Sequence, residues 1–149
     1  MPNPTAPPPQ VTPYLLYEDC AAAIAFLTRA FGFRELLRFD GPDGAVTHAE
    51  LALPRGGVVF VGDPRGDYRN PGRDGRITVA IHVYVDDVDA HHARARDAGA
   101  EIAEPPNDTP YGDRRYSALD PQGHQWYFAQ HVRDVPPAAW GARATAGAP

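Results

Sequence analysis

Two rhythms of apolar and polar residues run along this chain, and their order occurs twice. Ala23, Ile24, Leu27, Ala30 and Phe31 recur at helical spacing, so residues 21–31 are predicted to form a helix with one broad apolar face. Asp19 stands where an N-cap carboxylate satisfies the first free amides. Gly32 stands where the chain leaves the helix in a left-handed conformation. Residues 11–17 read as a strand, and Pro13 argues for an edge or early position because its ring removes a ladder donor. Three more strands are predicted over residues 33–39, 46–53 and 58–61. The turns Gly41-Pro42-Asp43-Gly44 and Pro54-Arg55-Gly56-Gly57 separate them.

Residues 64–76, dense in Gly, Pro, Arg and Asp, read as a linker, after which the same order returns. Residues 77–85 form a predicted strand, and Asp87 caps a helix that runs to about residue 98, before Gly99. A short strand near residues 100–103, a Pro-rich loop and two strands around Asp120-Pro121-Gln122-Gly123 follow. An offset of 67 residues places Gly32 on Gly99, Gly56 on Gly123 and Phe60 on Tyr127. The expected fold is therefore α+β, with two tandem βαβββ modules forming a cupped mixed sheet. One domain spans residues 11–132, with module one at 11–63 and module two at 77–132. The Pro-rich residues 1–10 and the Pro- and Ala-rich residues 133–149 are expected to be disordered tails.

Composition narrows the function. At 149 residues and 43% hydrophobic content the chain can bury one sizeable core. A net charge of −5 with scattered basic residues argues against a nucleic-acid partner. No apolar run reaches the length of a membrane span, and no charged-then-apolar leader opens the chain. A soluble, cytoplasmic protein without a membrane partner is expected. Cys20 has no second cysteine to pair with and no evident histidine partner, so it reads as inert despite its place at a helix N-terminus.

The most informative stretch is Ser117 to Ala129. Asp120-Pro121-Gln122-Gly123 is a tight turn in which Asp120 can cap its own following amides, and His124-Gln125-Trp126-Tyr127-Phe128 is an aromatic strand. By strand alternation, Trp126 and Phe128 should pack under the helices while Tyr127 faces the other way. Together with Tyr17-Glu18-Asp19 entering a helix that ends Phe31-Gly32-Phe33, this turn and the duplication resemble the vicinal oxygen chelate superfamily. That superfamily contains glyoxalases, extradiol dioxygenases and bleomycin-resistance proteins. In its metal-dependent members, four strands project His, Gln or Glu into a cup around one divalent ion. Carried over by position, the resemblance puts those four places on Thr12, Phe60, Ala80 and Tyr127. None of these side chains is a good ligand, so no metal and no cofactor is the first expectation. Homodimerisation is what the resemblance further implies; the sequence leaves it open.

Alternation then assigns the lining of the cup. Thr12, Tyr14 and Leu16 should share a face, as should Phe60, His82, Tyr84, Gln125 and Tyr127 on their own strands. Tyr14, Leu16, Phe60, His82, Tyr84, Gln125 and Tyr127 are the expected ligand-binding residues, and no catalytic residue is assigned. Such a lining suits binding or sequestration of a small aromatic or apolar molecule, and the resemblance implies antibiotic resistance by drug binding as one form. The alternative is a metal-dependent lyase, isomerase or dioxygenase with displaced ligands His48, Glu50 and His82. A one-residue register slip decides whether His48 and Glu50 face the cup. His91 and His92 lie among arginines and read as solvated surface. Residues 111–116 read as a solvated edge strand, whose arginine could otherwise close over an anionic or carbonyl-bearing ligand.

Overall fold

The computed structural model describes residues 8–146, so the expectation of a disordered tail over residues 1–7 and 147–149 lies outside the described residues. Module one runs β1 (Tyr14–Leu16), α1 (Cys20–Phe31), β2 (Arg34–Asp40), β3 (Val46–Ala52) and β4 (Val58–Gly62). After a one-turn helix α2 (Pro71–Asp74), module two repeats the order as β5 (Ala80–Tyr84), α3 (Val88–Asp97), β6 (Glu101–Asp108), β7 (Asp113–Leu119) and β8 (Gln125–His131). The modules form two four-stranded mixed sheets, β1-β4-β3-β2 and β5-β8-β7-β6. In each, the first strand pairs parallel to the last: Tyr14 lies opposite Phe60, and His82 opposite Tyr127. The duplication extends to the backbone. Gly56 and Gly123 leave their turns at φ 95° and 93°, a region open to glycine at little cost.

Both helices begin as expected. Asp19 accepts from the Ala22 amide at 3.0 Å and Asp87 from the Ala90 amide at 2.9 Å. Their apolar faces and the inward faces of the sheets form one core that joins the modules, with Phe31 and Phe33 meeting Trp126 and Phe31 also meeting Phe128. Trp126 and Phe128 are fully buried, as alternation required. Cys20 is buried in the same core, and burial pushes its thiol up to about 11, with the Asp63 and Asp19 carboxylates adding to the effect. It keeps its proton at neutral pH.

The turn after β7 ties the modules together. Buried Asp120 accepts from the Tyr17 hydroxyl (2.7 Å), the Trp126 indole N–H (3.1 Å) and the amides of Gln122 and His124 (3.0 and 3.1 Å). Gln122 reaches across to module one, accepting from the amides of Glu18 and Asp19 and donating to the Asp19 carbonyl. Its own carbonyl accepts from Gly72 of α2, and a Cβ on Gly123 would stand 2.2 Å from the Gly72 nitrogen. The stretch read as a linker is thus partly docked: Asn70 caps α2 and its amide donates to the Glu18 carboxylate.

Several expectations are corrected. β1 starts at Tyr14 rather than residue 11, which leaves Thr12 ahead of the strand and not in register with Tyr14 and Leu16. β6 continues through Pro105 and Pro106, where a loop was expected. It is the sheet's edge strand, and its register shifts between Glu104 and Asn107 remove the need for proline to donate. β7 is conversely an inner strand, between β8 and β6, not an edge. Past β8, the Val132 and Arg133 amides donate to the Gly112 carbonyl, and residues Pro137–Trp140 form a 3-10 turn whose Trp140 meets Tyr111.

His91 is not solvated surface. Its Nδ1 meets the Tyr116 hydroxyl at 2.7 Å, its Nε2 meets the Phe31 carbonyl at 3.1 Å, and its ring packs on Phe128. Burial holds its pKa below the ordinary 6.5; the Phe31 carbonyl opposes this and Arg94 assists it. A folded-state pKa below the unfolded one makes the unfolded chain bind more protons, so this contribution is present above pH 6.5 and is lost as pH falls below it. Exposed His131, held above its ordinary value by Asp113 and Asp134, contributes in the opposite sense. Melting curves between pH 7 and 5 should therefore fall less steeply for His91→Gln than for the wild type. Parallel curves would contradict this role.

Candidate functional site

The face of each sheet turned away from the helices carries the expected cup residues. On β3, Ala49 and Leu51 are buried against the helix side while His48 and Glu50 are only partly covered, so both face the open side together with Phe60 of β4. The Tyr14 hydroxyl meets His48 Nδ1 at 2.8 Å, and the rings of Tyr14 and Phe60 meet edge to face with centroids 5.6 Å apart. Tyr14 also lies against Gly62, where a Cβ would stand 2.6 Å from its ring. Glu50 Oε1 is 3.8 Å from His48 Nε2, beyond a good hydrogen bond. This is the wall of module one.

Module two builds a second wall in the same register. Glu50 lies opposite Phe60, and Ser117 opposite Tyr127; His48 lies opposite Gly62, and Arg115 opposite Ala129. The duplication therefore exchanges Phe60 for Tyr127, Glu50 for Ser117 and His48 for Arg115. The rings of His82 and Tyr127 are 19° from parallel with centroids 6.4 Å apart, and His82 meets Tyr84 at 5.0 Å. Gln125 Nε2 donates to the Tyr127 hydroxyl at 3.1 Å. Arg115 lays its guanidinium 4.8 Å from the Tyr127 centroid. Partial burial holds the His82 pKa below its usual value; Asp113 opposes this and Arg115 assists. The Tyr84 hydroxyl donates to buried Asp113 at 2.8 Å, which raises its pKa, and His131 holds the other Asp113 oxygen at 2.9 Å.

The structure thus brings together Tyr14 and Phe60, and separately His82, Tyr84, Gln125 and Tyr127. Leu16 lies beside Tyr14 in a groove of about 580 Å³ with Tyr68, Val79 and His124. His82 and Tyr84 line another, of about 410 Å³, with Val58, Leu53 and Pro13. His82 is not brought to His48 and Glu50 within one chain, and among the described residues no three His, Cys, Asp or Glu side chains cluster as metal ligands. Of the four carried-over metal positions, Phe60 and Tyr127 lie on the open faces, Thr12 precedes β1, and Ala80 begins β5. A phenyl and a methyl group have no lone pair to offer, and a hydroxyl is a poor ligand beside imidazole or carboxylate. These donors do not fit the ion held there by metal-dependent relatives.

Similar proteins accord with this architecture. Residues 9–128 match the family model described as the Glyoxalase/Bleomycin resistance protein/Dioxygenase superfamily. An uncharacterised protein of Mycobacterium tuberculosis (strain ATCC 25618 / H37Rv) is 40% identical over 132 residues, 85% of this chain and 77% of that one. The crystal structure of TioX from Micromonospora sp. ML1 is 39% identical and covers 80% of this chain and 95% of its own, with a TM-score of 0.66. A glyoxalase/bleomycin resistance protein/dioxygenase from Nocardioides shares the fold at 22% identity and a TM-score of 0.65, over 90% of this chain and 91% of its own. No helix among the described residues is long and apolar enough to cross a membrane. The duplicated modules, their parallel first-to-last strand pairing and these matches lead to one conclusion: the chain belongs to the glyoxalase/bleomycin resistance protein/dioxygenase superfamily.

Proposed function

We propose that this protein binds a small, flat, largely aromatic molecule on the open faces of its two sheets, without a metal ion, and sequesters it rather than transforming it. One observation carries the reading: rings, a methyl and hydroxyls occupy the family's ligand positions, while Tyr14, Phe60, His82, Tyr84 and Tyr127 line the open faces. Aromatic side chains offer a flat ligand large contact area, and the few polar groups among them orient it. A second copy of the chain completes the cup. Tyr14, Phe39, Val79 and Tyr84 are each more than half exposed, apolar surface that a second copy would cover. Drug sequestration conferring antibiotic resistance is the biological form this takes.

A thermal-shift screen of naphthalene-sized planar compounds tests the proposal. A compound that binds only the folded state, at 100 times its dissociation constant, adds about 2.7 kcal/mol. Several planar compounds should raise the melting temperature by several degrees. A screen in which flat compounds do no better than flexible aliphatic ones contradicts the proposal. A second reading, metal-dependent catalysis, draws on His48 and Glu50 sharing the open face; it requires His82 from a second chain as third ligand.

A further inference from the structure

Adjacent arginines on β7 have opposite fates. Arg114 grips Asp89 through Nε and Nη2 and Asp108 through Nη1, at 3.1–3.2 Å. Arg115, on the open face, lies over the Tyr127 ring with its side chain 29% exposed, yet its guanidinium donates no hydrogen bond among the described residues. Its Nε is buried without a partner, and Glu104 Oε2, 3.8 Å from Nη2, is too distant for one. Asp113, the other acid nearby, is already taken on one oxygen by Tyr84 and on the other by His131. A buried N–H with no acceptor costs about 1–3 kcal/mol, and the same guanidinium, partly exposed, is left free to take an incoming acceptor.

The surroundings specify that acceptor. Tyr84, Ala129 and Arg115 form one row across the sheet, with His82, Tyr127 and Ser117 in the next. Small Ala129, fully buried, lies between Tyr84 and Arg115 in that row, and the groove at this wall opens at His82 and Tyr84. A guanidinium fork matches a carboxylate with two parallel hydrogen bonds, and an aromatic ring beneath holds the fork in place. Module one carries Glu50 at the Ser117 position and His48 at the Arg115 position, so the guanidinium belongs to the second wall alone of the two, with Asp113 beside it already engaged by Tyr84 and His131. We propose that Arg115 anchors the ligand, and that the ligand is a planar aromatic carboxylate. Its ring packs on His82 and Tyr84 and its carboxylate meets the Arg115 fork, with Tyr127 positioning the arginine from below. This rests on the reading of the open faces as an aromatic ligand site and names the class of molecule taken there.

Calorimetric titration of the full chain with 2-naphthoate and with uncharged 2-naphthalenemethanol tests it. The wild type should bind the carboxylate about tenfold more tightly, the scale of a charge-assisted hydrogen bond. Arg115→Leu should erase that preference by weakening 2-naphthoate alone, and Arg115→Lys should restore part of it. Unliganded Arg115→Leu should melt within a few degrees of wild type, since it gives up a cation–π contact and a 3.8 Å ion pair but no hydrogen bond. An unchanged preference in Arg115→Leu, or equal weakening of both probes, overturns the proposal. Equal binding of the two probes by the wild type, with both lost in Phe60→Ala, overturns the anchor and leaves the aromatic site standing. Failure of the wild type to bind either probe overturns both.

Discussion

Asp120→Ala should lower the unfolding free energy by about 3–5 kcal/mol, among the largest losses a single substitution produces. The carboxylate accepts four hydrogen bonds, and two of its donors, the Tyr17 hydroxyl and the Trp126 indole N–H, sit on side chains 1% and 0% exposed. Alanine would strand both away from water while freeing the turn that docks Gln122 onto the start of α1. Asp120→Asn should cost less, because its amide oxygen still accepts on one side. Urea denaturation checks the order, and a loss below about 1 kcal/mol for alanine would show that the turn holds without its carboxylate.

The second large effect concerns binding. Tyr127→Ala should weaken a flat aromatic ligand by at least about tenfold, since a buried aromatic contact contributes on the order of 1–3 kcal/mol and Arg115 loses its support. Phe60→Ala removes the corresponding ring of module one and should have an effect of similar size. Neither ring is fully buried, so both variants should fold with modest losses of stability. Titration of each variant against the same ligand measures the change. Retention of wild-type affinity in both would place the ligand elsewhere.

How much of this could be read from the chain differs between its parts. Asp19, Asp87, Gly56 and Gly123 announce caps and turns through local chemistry, and the structure uses each as expected. Alternation separated Tyr127 from Trp126 and Phe128 correctly because β8 pairs on both sides and cannot slip. The register of β3 was open from sequence, since a polar His48 and Glu50 suit either a solvated face or a cup; its pairing with β4 settles it. β6 was obscured by Pro105 and Pro106, which only an edge position and a shifted register tolerate. The contacts of His91, Gln122 and Arg115 escaped for a shared reason. What they touch lies far along the chain or on a neighbouring strand: the Phe31 carbonyl, the Glu18 and Asp19 amides, the Tyr127 ring. Arg115 did carry one signal, since the duplication aligns it with His48 on an inner strand, where arginine is costly without a task.

If the open faces hold an aromatic molecule without help from an ion, chelation should leave that binding intact. Protein treated exhaustively with EDTA, dialysed and assayed for zinc, iron, manganese and nickel should be titrated with 2-naphthalenemethanol, a neutral probe with little tendency to capture metal itself. Affinity within twofold of untreated protein, with no metal near one per chain beforehand, is the predicted result. Stoichiometric metal in the untreated protein, together with binding that disappears on chelation and returns when the metal is restored, would contradict it.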